Sequence, residues 1–248
     1  MKTPSFTPAT LIFLIAHFLT VQLAAQDATE ILNKLDNVVY ASEDQTSKVT
    51  LVLSDRGGNE RTREAEVWQK GTDKRLFRFT APAAEAGIAF LSLHDDVMYL
   101  YMPAFGRERR IASHVKNQSF AGTDFSYEDL ESTRYADKYE PVLLGETSEH
   151  YILELTPLPD VRSDYSKVIA YVNKVHFYPE KMESYDRGGQ KAKIANYTFE
   201  KKDVYWYVKE IYMQNLKRDH STRMTFREVV FDTGLDDGIF TVRNLTRY

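Results

Sequence analysis

Five histidines beyond the first 25 residues, His94, His114, His150, His176 and His220, are the side chains best suited to acid–base or metal chemistry near neutral pH. None has a second histidine three or four residues away, the spacing that sets two imidazoles on one helix face for a metal. Only His94, beside Asp95 and Asp96, has a close acidic pair, and that run reads as a polar hairpin turn. Asp236 and Asp237 precede Gly238 and read as a turn rather than a glycosidase dyad. There is no Gly-x-Ser-x-Gly elbow, phosphate-binding Gly-Lys-Ser/Thr loop, His-Glu-x-x-His or calcium loop. The absence of cysteine removes thiol nucleophiles, thiolate metal sites, disulfides and a lipid-modified N-terminal Cys. The expectation is a protein with no catalytic residue, no metal and no cofactor. One reactive cluster is left: Arg107, Arg109 and Arg110, whose planar guanidiniums suit a phosphate or carboxylate. Pairing with Glu108 and nearby acids in a solvated loop is the alternative.

These side chains belong to 248 residues, 43% hydrophobic and 27% charged, with only 11 Gly and 8 Pro, so a folded, strand-rich chain is expected. A formal charge of −4 argues against nucleic-acid binding. At the N-terminus Lys2, an apolar run from Leu11 to Leu19 and the small pair Ala24 and Ala25 read as a secretory signal peptide over 1–25. The run falls short of the roughly 20 apolar residues of a membrane span. A single domain, 26–248, follows.

Asp27 with Glu30 forms a capping-box pattern, and Ile31, Leu32, Leu35, Val38 and Val39 recur at helical spacing, which predicts an amphipathic helix over about 28–41. Asn33, Lys34, Asp36 and Asn37 form its polar face. From Lys48 the period becomes two. Ten or eleven antiparallel strands are expected, the last at 240–243, and a polar-out meander of this kind closes or curls around an interior. Two Asp-Arg-Gly-Gly runs, at Asp55 and Asp186, fit hairpin turns, where glycine supplies positive φ. The 103–139 segment breaks the pattern. Ser126 with Asp129, and Phe125 with Leu130, resemble a capping box and a hydrophobic staple, which predicts a short helix from about Tyr127 inside a long, ordered excursion. Tyr99 and Tyr101 alternate with Met98, Leu100 and Met102, so that strand is apolar on both faces. On periodicity alone, a packed core and an unfilled apolar cavity both remain open.

The run from Tyr99 through Pro103, Phe105 and Gly106 to Ile111, followed by Ser119 to Leu130 (SFAGTDFSYEDL), resembles the outer-membrane lipoprotein-sorting protein family, related to LolA-like and LolB-like periplasmic proteins. The likeness extends to Trp68 and the Asp237-Gly238-Ile239-Phe240 run. It implies a mainly β fold, an open antiparallel half-barrel with an N-terminal helix and a short helical lid over an apolar cavity. It implies a soluble periplasmic protein that binds acyl chains of lipoproteins or lipids without catalysis, between an inner-membrane transporter and an outer-membrane acceptor. A lipid-sensing regulatory module that binds a membrane protein partner is the competing reading. The strand periodicity nominates Leu51, Leu53, Val67, Phe77, Phe79, Phe90, Leu100, Leu153, Ile169, Tyr171 and Phe177 as cavity walls. Phe120, Phe125, Tyr127 and Leu130 form the expected lid, and Arg107, Arg109 and Arg110 the contacts to an anionic headgroup.

Overall fold

The computed structural model describes residues 27–247; the expected signal peptide, 1–25, lies outside them. Helix α1 occupies 27–39. Asp27 is already helical, so it is not the cap, and Glu30 instead pairs with Lys34 one turn on, at 2.6 Å.

The alternating segments form thirteen antiparallel strands in one sheet. They are β1 (Asp44–Ser54), β2 (Glu60–Lys70), β3 (Lys74–Ala81), β4 (Ala89–Leu93), β5 (Val97–Met102), β6 (Arg107–Arg110), β7 (Tyr139–Glu146), β8 (His150–Pro157), β9 (Tyr165–Asn173), β10 (Pro179–Asp186), β11 (Lys191–Lys202), β12 (Tyr205–Asn215) and β13 (His220–Phe231). Both Asp-Arg-Gly-Gly runs are hairpin turns of the same build. Gly58 and Gly189, at φ 78° and 76°, donate their N–H groups to the Asp55 and Asp186 carbonyls.

Three strands exceed the sequence expectation. β4 is short and buried, β6 is wholly charged, and β7 contains Pro141 and Gly145, so none presents a clean alternation. In the other direction, 240–243 is not a strand. Asp236 accepts the Gly238 N–H and Thr241 accepts the Asn244 N–H, starting a 3₁₀ turn (Asp237–Phe240) and helix α2 (Val242–Leu245).

The sheet order is β6-β5-β4-β3-β2-β1-β13-β12-β11-β10-β9-β8-β7. The first and last strands therefore meet in the middle, while the two outer edges, β6 and β7, are consecutive in sequence. The chain between them, 111–138, has to pass from one edge to the other. Its Phe120, Phe125, Tyr127 and Leu130 join one core with Ile31, Leu32 and Leu35 of α1 and with Leu51, Val67, Phe77, Phe90, Leu153, Ala170, Met182, Met213 and Met224 of the strands. That defines the inner face. On the outer face Leu76, Ala89 and Leu91 pack against Phe240 and Leu245 of the C-terminal segment.

Candidate functional site

The inner face is aromatic where the crossing segment lies on it. Phe120 stacks on Phe79 with ring centroids 5.3 Å apart and 8° between planes, meets Phe77 edge-on at 5.3 Å, and lies 5.9 Å from Phe90. Phe90 in turn stacks with Tyr127 at 5.8 Å. Such ring pairs add about 0.5–1.5 kcal/mol each beyond burial.

Around this cluster, polar side chains at inner-face strand positions hold the segment by its backbone and carboxylates. Arg63 of β2 donates to the Ala121 carbonyl at 2.6 Å and pairs with Glu85. Arg75 of β3 donates to the Leu130 and Glu131 carbonyls at 3.1 and 3.3 Å. Ser92 of β4 accepts the Ser132 N–H at 3.3 Å. Thr222 of β13 accepts the Asp124 N–H at 3.0 Å and donates to its carboxylate at 2.7 Å, where the His220 Nδ1 also sits at 2.6 Å. Lys193 of β11 places its ammonium 2.5 Å from Asp129, which also accepts from Ser126 and from the Tyr165 hydroxyl at 2.8 Å.

Burial alone would raise the Asp129 pKa, but Lys193 and these hydrogen bonds outweigh it and hold the carboxyl below its usual range. Glu131 is likewise lowered against its burial, by Lys138 and Lys116. Asp36 of α1, 1% exposed, goes the other way. Burial raises its pKa although its carboxylate accepts the Tyr135 and Ala136 N–H groups at 2.8 and 2.9 Å. It faces the crossing segment, not solvent as the helical pattern predicts.

Two cavities with many aromatic and aliphatic side chains in their walls remain beneath α1 and the crossing segment, the larger also lined by Glu128, Asp129, Glu131 and Lys138. One of about 120 Å³ touches Val39, Val67, Phe77, Phe125, Leu130, Trp206 and Met224. Another of about 160 Å³ touches Phe125, Tyr135, Tyr165, Met182, Tyr197 and Ile211. Each is smaller than the roughly 300–1,000 Å³ common for small-molecule sites, so the segment itself occupies most of the inner face. A separate cleft of about 740 Å³ is polar, lined among others by His94, Asp96, Lys116, Arg134 and Arg162.

Of the sequence-nominated wall residues, Leu51, Leu53, Val67, Phe77, Phe79, Phe90 and Leu153 lie in the inner core, and Leu100 packs against it. Phe177 packs there from the β9–β10 turn, its ring 6.1 Å from Tyr151 and 4.9 Å from the Lys34 ammonium. Ile169 and Tyr171 are corrected. Val168, Ala170 and Val172 take the inner positions of β9, so these two share the opposite face with Lys167, which pairs with Glu154. The expected helix from Tyr127 is a single turn. Its capping box forms, with Ser126 and Asp129 exchanging bonds of 2.8 and 3.2 Å, but Arg75 takes the Leu130 and Glu131 carbonyls that a second turn would use. Arg107, Arg109 and Arg110 lie exposed on edge strand β6. His94 sits in the β4–β5 turn, 2.9 Å from Asp95.

Sequence reasoning misses Arg63, Arg75, Ser92, Lys193 and Thr222 as anchors. The signal was present: each shares the two-residue phase of apolar inner neighbours such as Val67, Phe77, Phe90, Ala195 and Met224.

Solved structures share this architecture. A DUF1329 family protein from Desulfovibrio piger superposes with a TM-score of 0.85 at 27% identity, covering 90% of this chain and 99% of that one. A putative outer membrane lipoprotein-sorting protein domain from Vibrio parahaemolyticus gives 0.83 at 29%, covering 90% and 100%. A LolA superfamily protein from Nitrosomonas europaea gives 0.73 at 25%, covering 86% and 97%. A family model described as "-like: Uncharacterized protein" matches residues 71–247. The chain belongs to this family, and its fold is shared with a LolA superfamily protein. No curated protein matches it. In this LolA-like chain the cover of the inner face is the connection between the two sheet edges, so cover and sheet cannot separate at both ends.

Proposed function

We propose that the protein is a periplasmic, non-catalytic carrier that binds acyl chains of lipoproteins or other lipids on its inner face and moves them between the inner and outer membranes. An inner-membrane transporter would load it and an outer-membrane acceptor would unload it, with 1–25 as the export signal and 26–248 as one domain. The observation that carries this reading is the aromatic inner face covered by a segment of the same chain, Phe120, Phe125 and Leu130 foremost. The naming of a relative for lipoprotein sorting supports it. Each methylene buried there is worth about 0.8 kcal/mol, so an acyl chain replacing these side chains gains what the segment loses. The segment competes with cargo, lowers its net affinity and so permits release.

The test is lipid extraction. Mass spectrometry of protein purified from its native source is expected to find acyl lipids. Leu130→Asp, which weakens the packing of the cover, is expected to change loading and release; a variant that loads and releases acyl chains like wild type contradicts the lid role.

A further inference from the structure

The tip and outer strand of the β5–β6 hairpin are exposed and strongly basic. Residues 103–110 are all exposed. At its tip a Pro103–Phe105 turn closes on Gly106 at φ 62°, and Phe105 is 55% exposed. Behind the tip stand Arg107, Arg109 and Arg110, none in an ion pair among the described residues, and Glu108 is the single acid in the run. The Arg109 guanidinium lies 5.0 Å from the Phe105 ring centroid. The β1–β2 hairpin shows what an ordinary exposed tip looks like here. Asp55 satisfies Gly57 and Asn59, and Arg56 pairs with Asp219.

We propose that the β5–β6 hairpin docks the protein onto the surface of an anionic phospholipid bilayer, with Phe105 at the acyl boundary and Arg107, Arg109 and Arg110 on headgroup phosphates. The charges are complementary, and the order of the groups matches the depth profile of an interface, an apolar ring leading and cations behind it. Guanidinium forks suit phosphate oxygens. Register adds a direction: Arg107 and Arg109 stand opposite Met102 and Leu100, which pack against the inner core, so the docked edge adjoins the face proposed for cargo. This inference deepens the carrier reading and rests on it for its purpose, but docking can be read without any lipid extraction.

The experiment is flotation of the full chain with vesicles of phosphatidylcholine alone or mixed with phosphatidylglycerol. Wild type is expected to float only with the mixed vesicles, and less as salt rises. Arg107→Gln/Arg109→Gln/Arg110→Gln is expected to lose about a hundredfold in partitioning, at about fivefold per arginine. Phe105→Ser is expected to bind more weakly and with steeper salt dependence. Arg56→Gln/Arg223→Gln/Arg227→Gln, which removes as much charge elsewhere, is expected to float like wild type. Equal flotation of the hairpin variant and wild type overturns the proposal, as does binding of glycerol phosphate with no vesicle association. Co-purified lipid on a protein that never floats overturns docking and leaves the carrier reading standing. Flotation of a protein without co-purified lipid supports docking and counts against the carrier.

Discussion

The sheet is covered on both faces by segments of its own chain, and the two covers are built differently. The outer cover, 232–247, is short: Asp236 and Thr241 cap its turns, Asp44, Lys70 and Arg78 of the sheet bind its backbone, and Phe240 and Leu245 pack on Leu76, Ala89 and Leu91. Its acidic group, Asp237, pairs with Lys70 and Lys74 at the exposed surface. The inner cover, 111–138, takes much of its shape from the sheet. Arg63, Arg75, Ser92, Lys193 and Thr222 bind its carbonyls, N–H groups and carboxylates from inner-face positions, and cavities of about 120 and 160 Å³ remain at its margin. Side chains of the sheet anchor both covers, but the inner one lies on the aromatic face with cavities at its margin, which suits it to exchange with an apolar ligand.

The largest expected effects separate the covers by what rescues them. Phe120→Ala and Phe240→Ala should each destabilise the lipid-free protein by about 3–5 kcal/mol in denaturant unfolding. Added lipid should restore much of the loss in Phe120→Ala, where an acyl chain can fill the space, and little in Phe240→Ala. Equal restoration would erase the distinction.

Next comes the charge pair. Lys193→Met leaves Asp129 buried without its cation and should cost about 3 kcal/mol. Lys74→Met, which removes one exposed partner of Asp237, should cost about 1 kcal/mol or less. Urea midpoints of the two variants give the comparison directly.

The smallest effect is that of acid. The folded pKa values of Asp129 and Glu131 are depressed, so their contribution is complete above the ordinary carboxylate range, near pH 4, and is lost as pH falls through the folded values. Asp36 is raised and has the opposite sign, its contribution fading as pH rises through its folded value. Thermal unfolding should therefore drop below about pH 4, and Asp129→Asn should flatten that drop.

The amphipathic helix, the long β1, β2, β12 and β13 strands and the hairpin turns were legible because period and turn chemistry agree there. β4, β6 and β7 were not, since a strand buried on both sides, a wholly charged edge and an edge broken by Pro141 lack a period-two signature. Most inner-face residues followed from alternation, whereas Ile169 and Tyr171 were misplaced because all five residues from Val168 to Val172 are apolar or aromatic, which leaves the phase to the flanking polar residues. The anchors failed for another reason. Arg63 and Lys193 look like interruptions of an apolar stripe until the segment that consumes their donors is folded against them, and that segment lies 58 and 64 residues away.

Hydrogen exchange of the full chain, read by mass spectrometry with and without a phospholipid in micelles, tests the central claim most directly. Lipid is expected to strip protection from 111–138 while 232–247 and the central strands keep theirs. Lipid bound with 111–138 as protected as before would contradict a cover that yields to cargo.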